Sequence, residues 1–436
     1  MHSTQKAHLF PLESVPHASP LTIRTPANTT ATTPVQQETP LPASPWRWDV
    51  DQISRHTRTD YTLPCCLCGS HLMTSIEFAP NFPWVTSDLR PWKSKASLSM
   101  CSTCGLLQKC TDSRYGEDVA DIYATYSLDS ADGSHDHLVV RAGGFKARAS
   151  ALIERLSEYG VSLQASGSIL DYGCGRGAFL RAVSESLPGW SMMGADLTEA
   201  NRIDVEKIEG AEYTTLSQLP VERRYDVISL IHVVEHLQRP TEILNQLSLM
   251  LTEQGVLLIQ VPDFSKNPFD LAVFDHVAHF SVQSLKNLAN LAGLDSMVVA
   301  EGLIPREITM VAKPKLGRPL GMQATDGPEE TLRTLEWLSN CQQQAVSLNS
   351  SGDPFGILGT QVGALWIDQA SDAKATFFVD EAPRRNSEKF LGRPVLFPSD
   401  VLFQNRVLVP FLSEYAKPIA ARLVEFGVYP VLIRSP

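Results

Sequence analysis

No apolar run in this 436-residue sequence approaches the ~20 residues that a membrane-spanning helix needs, and its first residues lack the apolar core of a secretory signal. Basic charge is in deficit too. There are 37 Lys and Arg against 48 Asp and Glu, a formal net charge of −11, which argues against a broad surface for a nucleic-acid polymer or an anionic membrane. An anionic ligand must then be met by local arginines or helix N-termini. Large apolar residues are nearly missing from "HASPLTIRTPANTTATTPVQQETPLPASP", so residues 1–46 cannot bury enough surface to offset chain entropy. They read as a disordered tail, although an organelle transit segment has a similar composition. No repeat of solenoid period is visible. The remainder, at 43% hydrophobic residues overall, is long enough for several buried cores, and a cytoplasmic protein with a small-molecule partner is the expectation.

Eight cysteines are present, and four of them form two pairs, Cys65-x2-Cys68 in "CCLCGS" and Cys101-x2-Cys104 in "CSTCGLLQKC". Each pair is followed by a glycine, Gly69 or Gly105, which eases the tight turn that points backbone N–H groups at sulfur. Without an export signal, disulfides are disfavoured. Four thiolates complete a closed tetrahedral Zn²⁺ site with no position left for substrate, so the metal is expected to be structural. Residues 47–115 form this zinc-binding module.

Beyond it, "FKARASALIERLSEYG" has helical apolar spacing with Gly160 as a stop. From Ile169 apolar strands ("SILDYG", "WSMMGAD", "YDVISLIHV", "GVLLIQVP") alternate with helices ("AFLRAVSESL", "PTEILNQLSLML"), the pattern of a parallel sheet covered on both faces. "DSMVVAEGL" and "REITMVAKP" resemble a closing hairpin. The expected organisation is an α/β domain over 116–313, a linker helix over 314–350 and a smaller Rossmann-like α/β unit over 351–436.

The stretch "ILDYGCGRGAFLRAV" runs from strand through a glycine turn into helix, the shared grammar of nucleotide-binding units. Gly173, Cys174, Gly175 and Gly177 are candidate ligand-binding positions. Gly173-x-Gly175-x-x-Ala178 also satisfies the looser dinucleotide fingerprint, so the loop alone leaves the cofactor open. Asp171, two residues before the first glycine, suits a positive amino group and would repel a pyrophosphate. Asp196, closing "MMGAD", is placed to accept ribose hydroxyls, which both cofactors carry.

Together, "ILDYGCGRG" and "YDVISLIHVVEHLQRPTEILNQLSLMLTEQGVLLIQVP" resemble class I S-adenosylmethionine-dependent methyltransferases. The resemblance implies S-adenosylmethionine as cofactor, with His232, Glu235 and His236 lining or supporting its pocket. The order of zinc module, methyltransferase domain and small α/β unit is in turn similar to the sugar C-methyltransferase family, which acts on nucleotide-linked keto-deoxysugars. That resemblance places Tyr123 and Tyr126, in "DIYATYSLDSADGSHDH", towards the sugar. It makes His276, in "NPFDLAVFDHVAHFSVQSL", the base that removes a proton beside a keto group, with Asp275 orienting it. An imidazole accepts a proton at neutral pH, and a neighbouring carboxylate can hold it in place. The chain departs from the family's pattern in having Val273 for a tyrosine and Asp275 for a glutamate. Transfer to oxygen or nitrogen of a cell-surface sugar or secondary metabolite is the rival, followed by a non-catalytic binding scaffold. Arg384, Arg385 and Arg393 are either phosphate donors or a solvated basic loop.

Overall fold

The computed structural model describes residues 63–76, 78, 81–126, 138–141, 144–156, 158, 161, 163–315, 322–323, 327–372, 374–382, 389–402 and 405–433. The expected disordered tail, Arg384 and Arg385 lie outside these residues.

Seven strands build the central sheet: β1 Gly167–Tyr172, β2 Trp190–Asp196, β3 Ala211–Thr215, β4 Tyr225–Ile231, β5 Leu251–Pro262, β6 Leu294–Glu301 and β7 Glu307–Pro314. Their spatial order is β3-β2-β1-β4-β5-β7-β6. The first five are parallel, whereas β7 is antiparallel to both β5 and β6. Chain order reverses between β1 and β4, and in open α/β sheets ligands bind at the carboxyl ends of strands beside such a switch. The glycine loop follows β1 and the "HVVEH" segment follows β4. Both therefore arrive at one edge.

The apolar stretch 145–160 divides between two elements. Gly144–Ala147 is a strand paired with Leu138–Arg141, and the helix is only Arg148–Leu156. Strand pairing wins over helical spacing at the first turn, while Ala149, Leu152, Ile153 and Leu156 still bury the expected face.

Strands Met73–Ile76, Leu98–Cys101 and Leu107–Lys109 form the cysteine module's antiparallel sheet. A fourth strand, Ala278–His279, comes from the segment after β5 and pairs with Leu107–Lys109. The module is thus continuous with the chain that carries His276. Lys109 makes the junction polar as well as β-structured. It is wholly buried, and its ammonium donates to the carbonyls of Val273 (2.6 Å) and His276 (2.8 Å) and meets His279 Nε2 at 2.9 Å.

The C-terminal unit is a six-stranded sheet, parallel but for Lys389–Phe390 at its edge. Helix Gly327–Ser350 leads into it and is packed rather than spanning open space: Leu335, Trp337, Leu338, Cys341, Ala345 and Leu348 join one core with Phe264, Phe269 and Phe274. Arg393 serves that unit internally. Its guanidinium grips Asp368 at 2.7 and 2.5 Å, donates to the Ala375 carbonyl and lies over Phe378, so it is committed to the fold and not to a phosphate. Among the described residues no helix is long and apolar enough to cross a membrane.

Lys109→Met is expected to lower stability by about 2–4 kcal/mol, because three buried acceptors lose their donor at once. Urea denaturation monitored by tryptophan fluorescence measures it. A loss under 1 kcal/mol would show that the junction does not depend on this cation.

Candidate active site

The glycine loop is shaped by three left-handed residues, Gly173, Gly175 and Gly177, with φ of 77°, 51° and 81°. They differ in what a side chain would meet. A Cβ on Gly173 would come within 2.5 Å of Val233 and one on Gly177 within 2.7 Å of Ile208, so these two allow close packing. At Gly175 nothing lies within 4 Å, and the bare backbone faces open space. Asp196, at the tip of β2, fastens this turn: its carboxylate accepts from Gly175 N–H and Leu197 N–H, each at 2.6 Å. Burial pushes its pKa up, against those two hydrogen bonds. Cys174 is buried, its sulfur packed beside Gly194.

Asp171 lies below the loop on β1, almost fully buried, and accepts from Ser229 Oγ at 2.7 Å. Burial pushes its pKa up to about 7, with the Ser229 hydrogen bond opposing. A cationic group arriving beside it would hold it ionised.

After β4 the backbone enters the left-handed region at His232 (φ 56°), a conformation uncommon for a non-glycine residue. This turn aims His232 sideways, where Nδ1 meets Glu235 at 3.1 Å and Nε2 meets Glu307 at 3.2 Å. Burial opposes its charge, but the two carboxylates outweigh it and raise the imidazole to about 9. His232 is therefore an ion-paired support. Glu235 is buried, and despite that burial His232 and its neighbours keep it below the usual carboxylate range.

The segment 263–280 crosses over this opening, stitched down by hydrogen bonds from Phe274 N–H to Val85 O and from Val277 N–H to Glu235 O, both 2.7 Å. It carries His276, whose ring lies edge-on to His236 at 4.6 Å between centroids. The orienting carboxylate differs from the expected one. His276 Nδ1 is bonded to Asp270 at 2.6 Å, while Asp275 accepts from Ser87 N–H (2.9 Å) and Oγ (2.5 Å) and stands 3.6 Å from His236 Nδ1. The reason is local geometry: six residues of bent chain return Asp270 beneath the ring, whereas the adjacent Asp275 is drawn to the opposite side by Ser87.

Asp270 also holds His279 Nδ1 at 2.6 Å. These contacts fix the protons in turn. While Lys109 is protonated it has only donors, so His279 Nε2 then accepts from it and the His279 proton sits on Nδ1. That proton goes to one Asp270 oxygen, and the other oxygen takes the Nδ1 proton of His276. Nε2 is thus the His276 nitrogen that Asp270 does not hold. Burial works against the Asp270 charge, yet His279 and His276 hold its pKa well below the carboxylate range. Burial and Lys109 push His279 down to about 4, so it stays neutral. Burial pushes Lys109 down to about 7, with Asp270 opposing.

Tyr123 and Tyr126 stack at 5.4 Å on the other side of His236. Tyr123 Oη is 3.1 Å from His236 Nδ1, which also meets the Asp275 carbonyl at 2.9 Å, and Tyr126 Oη lies 3.2 Å from Ser87 Oγ, whose own proton goes to Asp275. Burial raises both phenols above the ordinary tyrosine range, so they remain protonated donors. The structure thus brings His276, Asp275, Tyr123, Tyr126, Glu235 and His236 into one cluster. Asp270, Lys109, His279, Ser87 and Glu307 were missed from the sequence; only the polar Lys109 inside "LLQKC" and the second histidine of "DHVAHF" offered a signal.

The four cysteines converge apart from this cluster. All four sulfurs lie within 4.8 Å of one another, with Cys65–Cys104 and Cys68–Cys101 at 3.6 Å. Gly69 and Gly105 take left-handed turns that return their N–H groups to the carbonyls of Cys65 and Cys101 at 2.8 Å. Thiols so crowded cannot all ionise unaided: hydrogen bonds from Cys104 and Cys65 hold Cys101 well below the thiol range, and Cys104 is pushed well above it by its bond to Cys101. A soft divalent cation matches this donor set, and Zn²⁺ fits it.

Several known proteins resemble part of this chain. A methyltransferase from Clostridium acetobutylicum ATCC 824, described as S-adenosylmethionine-dependent, aligns over 38% of this chain and 91% of its own at 13% identity, with a TM-score of 0.32. The plantazolicin methyltransferase BpumL in complex with SAH aligns over 38% and 83% at 16% identity and TM-score 0.33. CalO1, a methyltransferase in calicheamicin biosynthesis, aligns over 38% and 53% at 24% identity and TM-score 0.32, so the chain spans about half of that protein. No curated protein matches the chain. Residues 143–299 match the family model described as "Methyltransferase domain". That span, which the methyltransferase-domain model matches, holds the glycine loop, Asp196 and the His232–His276 cluster on a Rossmann-like mixed sheet.

Proposed function

We propose that the chain methylates a small molecule with S-adenosylmethionine as donor, and that the acceptor is a carbon beside the ketone of a nucleotide-linked keto-deoxysugar. The observation that carries this reading is the His276 imidazole, held through Nδ1 by Asp270 at 2.6 Å, which leaves Nε2 as the nitrogen to serve as base. When bound, S-adenosylmethionine supplies an electrophilic methyl group on a sulfonium. Asp196 accepts the ribose hydroxyls, Asp171 faces the positive amino group, and Gly175 leaves the backbone open for the adenosyl portion. His276 takes the proton from the acidic carbon, whose electron pair becomes the nucleophile for the methyl. His276 then releases that proton to solvent. Tyr123 and Tyr126, held as donors, steady the developing enolate oxygen. The four thiolates hold a structural Zn²⁺, and through Leu107–Lys109 that module supports the strand beside His276.

Gly175→Val is expected to weaken S-adenosylmethionine binding at least tenfold by filling the open side of the loop, and Asp196→Ala to weaken it similarly by loss of the ribose acceptor. Calorimetry reads both. Unaltered affinity in both variants, or preferential binding of NAD, would refute this placement.

Affinity should also follow the charge of Asp171. Its carboxyl titrates at about 7 in the free protein, and a bound amino group favours the ionised form. Binding should therefore be strongest above pH 7 and weaken up to tenfold per pH unit below it. Asp171→Asn should bind weakly and without that slope, and a wild-type affinity flat between pH 5.5 and 8 contradicts the assignment.

His276→Asn should retain cofactor binding and lose ~10²-fold or more in turnover. With S-adenosylhomocysteine in place of the donor, wild type should exchange the acceptor's acidic carbon proton with deuterated solvent, and the variant should exchange little. Asp270→Asn should slow both reactions, because an amide cannot serve as the carboxylate that fixes the Nδ1 proton. A wild type that methylates but never exchanges a carbon proton would assign the acceptor to oxygen or nitrogen.

Cys101→Ser should lose zinc and stability together, as expected of a structural ion. A metal-free wild type of full stability and activity would remove the ion from the account.

A further inference from the structure

A second cluster of donor atoms lies inside the domain, distinct from the cysteines. Glu235 and His236 are adjacent on the short turn Val234–His236, and His276 faces them from the crossing segment. One ligand atom from each lies within 4.8 Å of the other two. In every case the other heteroatom of the side chain is already fastened. Glu235 Oε1 meets His232 Nδ1 at 3.1 Å, His236 Nδ1 meets the Asp275 carbonyl and Tyr123 Oη, and His276 Nδ1 is held by Asp270. Two imidazole nitrogens and one carboxylate oxygen are left.

The decisive atom is Glu235 Oε2. It is buried and has no hydrogen-bond partner among the described residues, in a side chain with no exposed surface. His232 pairs the carboxylate through Oε1, yet Oε2 remains a buried acceptor with no donor, which costs free energy until a donor or cation reaches it. We propose that Glu235, His236 and His276 bind one divalent transition-metal ion, of the class that imidazole and carboxylate select together, such as Co²⁺, Mn²⁺, Fe²⁺ or Zn²⁺. Three protein ligands leave positions open for an acceptor's oxygen. The contact of His276 with Asp270 is the carboxylate–histidine arrangement that fixes tautomer and raises ligand basicity in metal centres.

The nearby group Asp270, His276 and His279 is unsuited to the same task. Asp270 and the two histidines are spent on one another, and the Lys109 ammonium already supplies the positive charge. Ligation at His276 Nε2 takes the lone pair that proton removal from carbon requires. The loaded and metal-free centres are thus alternative states, and loading should suppress the carbon-proton exchange.

The test uses the full chain with its thiolate site filled by zinc, titrated with Co²⁺. One further equivalent should bind and give visible d–d bands without sulfur-to-cobalt charge transfer. Glu235→Gln and His236→Gln should each weaken that binding at least tenfold, and Asp270→Asn by ~10–100-fold. Circular dichroism and the zinc content of the thiolate site check that the variants fold. In wild type, substoichiometric Mn²⁺ should broaden the ring resonances of His236 and His276 before those of exposed His71, a measurement that needs no variant. Absence of the extra equivalent, equal Co²⁺ affinity in folded Glu235→Gln and His236→Gln, or broadening confined to His71 would each overturn the site. The binding readouts involve no methyl acceptor, so they fail independently of the carbon-transfer reading.

Discussion

Asp270 holds two histidines at once, and the rest of the site depends on that grip. A buried carboxylate flanked by two ring N–H groups is stable only if positive charge stands close by. Lys109 supplies it from another module, across His279. The result is a row of four side chains, Lys109, His279, Asp270 and His276, linked by consecutive polar contacts. Remove the lysine and the protons lose their order; remove the carboxylate and the His276 ring is free to turn.

This arrangement explains why the cysteine module is more than an appendage. Its sheet accepts Ala278–His279 as a fourth strand, and Lys109 closes the same junction with three polar contacts. A metal held by the four thiolates would stabilise the strand that presents Lys109, and through it the segment that carries His276. On the opposite side, Phe269 and Phe274 of that segment pack into a core shared with the long helix and the C-terminal unit. The crossing segment is therefore clamped from both flanks, which restricts the orientation of the side chains it carries.

Much of this was legible in the sequence where chemistry is local. Glycines beside a strand end, paired Cys-x2-Cys-Gly knuckles and alternating apolar strands each state their geometry within a few residues, and the loop, the sulfur cluster and the parallel strands appear where the spacing placed them. Contacts between distant segments were not legible. Asp275 is next to His276 in sequence and so was the natural candidate to orient it, yet side chains of adjacent residues in a bent loop point apart, and Asp270 reaches the ring instead. Arg393 had the composition of a phosphate donor but was claimed by buried Asp368. Lys109 carried no periodic signal, because its role exists only once two modules share a sheet.

The most direct test of the account is the tautomer of His276 in the metal-free protein near neutral pH, read from ¹⁵N chemical shifts of its ring by long-range proton correlation. The account requires a protonated, pyrrole-type Nδ1 hydrogen-bonded to Asp270 and an unprotonated, pyridine-type Nε2. A proton found on Nε2, with Nδ1 bare, would contradict it.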